Sequence, residues 1–166
     1  MPRVPASSLT IRKREAAARS RPAGLRLALM TLRLLENWRS HLGLDHDSAL
    51  IILATAAITM EKFTRLDFDA GHRDVRIPMP PELLTKCNVS SIAAATGMNR
   101  ETARRKVQSL LSEGMLVTDD KGSIRLSPNY TLALQTDEMM SSQLQTLVQT
   151  ANGLLKDDIL QATSEV

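Results

Sequence analysis

Apolar positions recur with a helical rhythm along most of the chain and with a strand rhythm in one short stretch. Between Gly24 and Leu44, residues Leu25, Leu32, Leu35 and Leu42 share one face, with Leu29 and Trp38 nearby. That strip is wide enough for a helix packed on more than one neighbour, and Gly43 is placed to end it. A second helix is expected from a cap at Asp45 or Asp47 to about Arg65, through Leu50, Ile51, Leu53, Ala54, Ala57, Ile58 and Met60. Its apolar residues surround most of the circumference, which marks it as the central core helix. Asp67 to Pro81, with Gly71, Pro78, Pro80 and Pro81, reads as an irregular connection, and Pro81 suits the first turn of a short helix through Leu83 and Leu84 to Lys86.

The two ends differ from this middle. Residues 1–23 mix Pro, Ser, Ala and Arg without a sustained apolar period and are expected to form a flexible basic arm, in which Arg12 to Arg21 could become helical on binding. Near the other end, Thr136 or Asp137 caps a long helix, and Glu138 suits the positive end of its dipole. Its Met140, Leu144, Leu147, Ala151 and Leu154 alternate spacings of four and three, an edge suited to pairing with another helix.

Residues 88–128 carry the most specific pattern. Asn88 or Ser90 can cap a short helix holding Ile92, Ala93 and Ala95; Gly97 breaks it, and Asn99 caps a second helix from Arg100 to about Glu113. A short helix, a glycine turn and a second helix make a helix-turn-helix. In the second helix Ala103, Val107, Leu110, Leu111 and Gly114 fall on one side, and Glu101, Arg104, Arg105 and Gln108 fall opposite. Arginine pairs bidentately with guanine, glutamine addresses adenine, and a carboxylate accepts from cytosine. Asn99, Arg100 and Thr102 occupy the opening turn, where side chains and backbone amides hold phosphate. Met115–Thr118 then reads as a strand, Asp119–Gly122 as a turn and Ser123–Leu126 as the return strand, with Lys121 at the tip and Arg125 placed to meet backbone phosphate.

Charge sharpens this picture. The 166 residues carry 21 Lys+Arg against 18 Asp+Glu, a modest +3. Residues 1–26 hold +6, residues 27–88 hold −1, residues 89–128 hold +2 and residues 129–166 hold −4. Such asymmetry favours a polyanionic partner, with Arg12, Lys13 and Arg14 as further candidate contacts in the arm. Four aromatic residues, 2% of the chain, leave little for base stacking, which disfavours single strands. One cysteine excludes an intrachain disulfide framework and a Cys-rich zinc module. No apolar run reaches membrane-span length and no signal-like segment opens the chain, so a soluble cytoplasmic protein is expected, with no membrane partner.

The run from Val89 to Arg105, followed by Leu110-Leu111-Ser112-Glu113-Gly114-Met115-Leu116-Val117, resembles bacterial winged-helix transcription regulators. It is similar to the GntR-type domain and to the C-terminal domain of the cyclic-AMP receptor family. The shared features are a small residue and then Gly in the helix-turn-helix, an Arg-Glu-Thr opening of the recognition helix, and Glu-Gly before the first wing strand. The resemblance covers about 40 residues. It implies DNA contacts for Arg100, Glu101 and Arg104 or Arg105. Ala103 and Lys106 stand where those families often carry larger apolar residues. Neither a cyclic-nucleotide domain nor a long effector domain accompanies the motif, and the flanking helices look more like the MarR arrangement, where terminal helices form a dimer interface.

Other groups offer less. His41, Asp45, His46 and Asp47 could supply metal ligands, but they straddle a helix break and read as caps and surface polar groups, so no metal is expected. Cys87 reads as a small buried hydrophobe rather than a redox switch, and His72 as a loop residue. No phosphate-binding glycine loop, nucleophile elbow or spaced carboxylate pair nominates an enzyme, and no cofactor is implied. The resulting expectation is a mainly α, winged helix-turn-helix protein with a small β-hairpin wing and flanking N- and C-terminal helices. Its parts are an arm at 1–23, a domain at 24–130 (helix-turn-helix 88–113, wing 115–128) and a C-terminal helical segment at 131–166 for dimerisation. It is expected to bind double-stranded DNA as a homodimer and regulate transcription, with any small-molecule effector unidentified. Its rivals are a winged helix used for protein contact and a phage- or plasmid-type replication or partition protein.

Overall fold

The computed structural model describes residues 7–64, 77, 79–130 and 137–164. Arg3, Phe68, His72, Thr136 and most of the 67–81 connection lie outside the described residues. Among the described residues the chain is mainly helical, with two small antiparallel two-stranded sheets. It divides into two units, residues 38–139 and the two chain ends, 1–37 with 140–166.

The central unit is built around α3 (His46–Thr59). Asp45 caps it, accepting from the Ser48 amide at 3.1 Å, and Asp47 in the first turn suits the helix dipole. Ile51, Ile52 and Thr55 are fully buried, so the all-round apolar pattern does correspond to a core helix. The α-helix ends at Thr59 rather than near Arg65. The Met60 amide turns to the carbonyls of Ala56 and Ile58, and a 3-10 turn follows at Glu61–Thr64. Pro81–Leu83 likewise forms a single 3-10 turn instead of a longer helix.

Around α3 pack α4 (Val89–Thr96), α5 (Arg100–Ser112) and a hairpin of β2 (Leu116–Thr118) and β3 (Ile124–Leu126). Ile92, Val107, Leu110, Leu116, Ile124 and Cys87 join Ile51 and Ile52 in one core, with Trp38 and Tyr130 partly buried against it. The hairpin pairs Leu116 with Leu126 and Thr118 with Ile124. It is also joined to the segment before α4: the Ile124 amide donates to the Cys87 carbonyl at 2.9 Å, and the Cys87 amide to Ser123 Oγ at 3.0 Å.

The second unit corrects the expectation of a flexible arm. Residues 7–11 form β1 (Ser7–Ile11), paired antiparallel with β4 (Leu160–Ser164), and α1 (Lys13–Ala18) and the start of α2 (Ser20–Leu42) follow directly. The physical reasons are local and distant. Lys-Arg-Glu-Ala-Ala-Ala is a strong helix former, Pro22 is tolerated in the first turn of α2, and β1 takes its hydrogen bonds from the other end of the chain. Gly43, with φ +64°, follows α2 as expected. The C-terminal helix, α6, spans Asp137–Lys156 and gives way to β4, so the segment expected to be helical over 131–166 ends in a strand.

Candidate nucleic-acid interface

Each part of the 88–113 segment is held by short-range hydrogen bonding. Asn88 and Ser91 form a reciprocal capping box, each side chain accepting from the other residue's amide at 3.0 Å. Gly97 ends α4 in the left-handed region (φ +70°, ψ 9°), where a side chain is disfavoured. A Cβ there would meet nothing within 4 Å, so it is backbone conformation and not space that calls for glycine. Asn99 then caps α5, its Oδ1 accepting from the Glu101 amide at 2.9 Å.

One side of α5 is buried at Ala103, Val107 and Leu110, each at most 1% exposed. Ala103 therefore occupies a core position despite its size. Lys106, the other unusual residue, is half-buried and donates to Asp45 Oδ2 at 2.7 Å, tying α5 to the cap of α3. That bond, first, and those from the Ser48 amide and hydroxyl hold the Asp45 carboxyl down to about 2.

The opposite side of α5 presents Arg100, Glu101, Arg104, Arg105 and Gln108 to solvent, while Thr102 is half-buried. Within this group Glu101 and Arg104 form a two-point ion pair. Arg104 Nε donates to Oε2 at 3.0 Å and Nη2 to Oε1 at 2.6 Å. The contact holds the Glu101 carboxyl below its usual range, with Arg104 the main cause and Arg105 a lesser one. Because Glu101 engages the Nε–Nη2 edge, the terminal Nη1–Nη2 fork of Arg104 is left to meet a ligand. That fork matches the O6 and N7 acceptors of guanine. Arg100 and Arg105 form no ion pair among the described residues.

The hairpin supplies two further candidates in the same unit. Asp119 shapes the turn, its Oδ1 accepting from the Lys121 and Ser123 amides at 2.9 and 2.8 Å, which lowers its carboxyl. Lys121 is exposed at the tip, whereas Arg125 is half-buried with Nε enclosed. Arg12, Lys13 and Arg14 are exposed but belong to the unit formed by the chain ends, and Arg12 lies 3.5 Å from Asp158. Asp45, once a candidate metal ligand, is occupied as a cap and ion-pair partner. The Cys87 thiol is buried and pushed up by that burial, the opposite of an activated thiolate.

Two contacts escaped the sequence reading. The Glu101–Arg104 pair was legible as opposite charges three residues apart on a helix. The Asp45–Lys106 bond joins residues 61 apart and carried no local signal. No protein-family model, curated protein or solved structure matches the chain. Among the described residues, no single helix is long and apolar enough to cross a membrane.

Proposed function

We propose that this protein is a sequence-specific double-stranded DNA-binding regulator of transcription, with α4, α5 and the β2–β3 hairpin acting as a winged helix-turn-helix. The observation that carries the reading is the division of α5. Its inner side is sealed into the core, while its outer side offers three arginines in the N-terminal half, where a recognition helix meets base edges, and a glutamine one turn further along. In this reading Arg104, braced by Glu101, addresses a guanine, and Arg100, Arg105 and Gln108 address neighbouring bases. Asn99, Thr102 and Lys121 hold phosphate, and Lys13 and Arg14 add sequence-independent attraction.

The protein acts as a homodimer in this proposal. Leu25, Leu29 and Leu32 on α2 and Met140, Leu144 and Leu147 on α6 are all more than 40% exposed, at spacings of four and three. Two apolar stripes of this kind suit a second copy of the chain, and a dimer suits a DNA site with two-fold symmetry. The deciding experiment is selection of preferred duplexes from a random pool with the full chain, repeated with Arg104→Ala. The expected result is an enriched motif with paired half-sites, whose preference at one position collapses in the variant. Absence of any enriched motif, together with no steep salt dependence of duplex binding, would refute the reading and favour a winged helix that docks on protein.

A further inference from the structure

A cleft of about 660 Å³ lies between the hairpin turn, the end of α3 and the segment leading into α4. Its volume is that of a small-molecule site. Lys62, Lys86, Lys121 and Arg125 all open onto it, and none of the four has an ion-pair partner among the described residues. Two of its polar atoms, Arg125 Nε and Thr85 Oγ1, are buried and without a hydrogen-bond partner among the described residues. Buried polar groups are almost always bonded, and a guanidinium N–H left unbonded is costly, so this pair calls for an acceptor. The carboxylates on the cleft do not supply it. Asp119 is engaged by the turn amides, and Glu82 and Asp120 are exposed.

What would satisfy these walls is a group that accepts from an N–H and a hydroxyl and carries negative charge. We propose that the cleft is an oxyanion site, taking a carboxylate or phosphate of a small organic anion on Arg125 and Thr85, with exposed Lys62 and Lys86 drawing it in. The location suggests a regulatory consequence. The hairpin and the segment before α4 are already joined by the Ile124–Cys87 and Cys87–Ser123 bonds, and an anion between Thr85 and Arg125 braces the same junction. The site stands on the cleft alone and does not depend on the DNA-binding reading.

The test uses the full chain, with citrate and inorganic phosphate as probes against sodium chloride at equal ionic strength. Thermal unfolding and calorimetric titration should show stabilisation by citrate or phosphate beyond the chloride control. Arg125→Gln should abolish it, and Lys86→Gln, a surface change that leaves the fold intact, should weaken binding several-fold. If neither probe binds but both variants weaken duplex binding about tenfold, the small-anion site is overturned and the cleft instead meets a phosphate of the DNA backbone. The proposal is overturned if wild type and both variants respond alike to citrate and phosphate and bind duplex equally.

Discussion

Replacing Gly97 isolates the energetic basis of the turn between α4 and α5. At φ +70° an L side chain costs about 1–2 kcal/mol relative to glycine. Against this, alanine narrows the unfolded ensemble and returns roughly 0.4–1 kcal/mol. No steric contribution enters, because an added Cβ would meet no atom within 4 Å. Gly97→Ala should therefore destabilise by about 1 kcal/mol, and Gly97→Asn by less, since asparagine tolerates the left-handed region. Urea unfolding followed by the fluorescence of Trp38, the sole tryptophan, reads the unit that contains the turn. The midpoint should move while the urea dependence stays constant. Duplex affinity measured well below the transition should change less than about twofold, because the outer side of α5 is untouched. A loss above roughly 3 kcal/mol would mean that the site is crowded rather than conformationally special. Equal losses for alanine and asparagine would mean that the left-handed backbone is not what selects glycine.

Four other substitutions follow from the same geometry. Arg104→Ala should reduce discrimination at one base pair by about 5- to 150-fold, the range of a lost bidentate contact, whereas Glu101→Gln should reduce it by about 2- to 10-fold through loss of the brace. Competition binding with single-base variants of the selected site measures both, and tighter binding of Glu101→Gln to every duplex would show that the carboxylate withholds the arginine instead. Leu144→Glu on α6 should convert the proposed dimer to monomer in sedimentation equilibrium, and an unchanged mass would remove this helix from the interface. Asp45 has a folded-state value of about 2 against an ordinary 3.8, so its contribution is complete above pH 4 and is lost as pH falls toward 2. After discounting for its exposed, water-screened position, Asp45→Asn should cost about 0.5–1 kcal/mol at pH 7, and progressively less as pH falls from the ordinary value through about 2. A constant difference across that range would refute the ion pair.

Legibility in the sequence tracked the distance between interacting residues. The capping box at Asn88 and Ser91, the turn at Gly97, the cap at Asn99 and the return strand at Ile124 depend on neighbours a few residues away, and the residue types reveal them. The strand Ser7–Ile11 was invisible because its partner begins at Leu160, and five residues of weak alternation mean little without it. Arg125 illustrates a subtler loss. Strand alternation turns it away from the face that carries Ile124, which reads as exposure. In the structure that side of β3 borders the cleft shared with Thr85 and Lys86, so the residue is half-buried.

Net charge along the chain is modified locally by ion pairs between its two ends. The basic N-terminal segment points toward a polyanion, and three of its seven cations, Arg12, Arg19 and Arg26, are paired within their own unit. Arg26 donates to Asp157 at 2.6 Å, Arg19 pairs with Asp158 at 3.3 Å and also bonds the Asp157 carbonyl, and Arg12 pairs with Asp158 at 3.5 Å. These cations sit just beyond the C-terminal end of α6, where helix carbonyls favour positive charge. Gly153 lets Arg26 approach, because a Cβ there would fall on the guanidinium. The acidic C-terminal segment thus has a partner in Arg12, Arg19 and Arg26, while Lys13 and Arg14 stay exposed and, with α5 and the hairpin, are left for a polyanion. Removing residues 1–23 should consequently do more than weaken long-range attraction for DNA. It deletes β1, leaves β4 with an unpaired edge and strips two of the three arginines from Asp157 and Asp158. Loss of stability in thermal unfolding, measured without DNA, is the expected outcome; an unchanged transition would restore the picture of a dispensable basic arm.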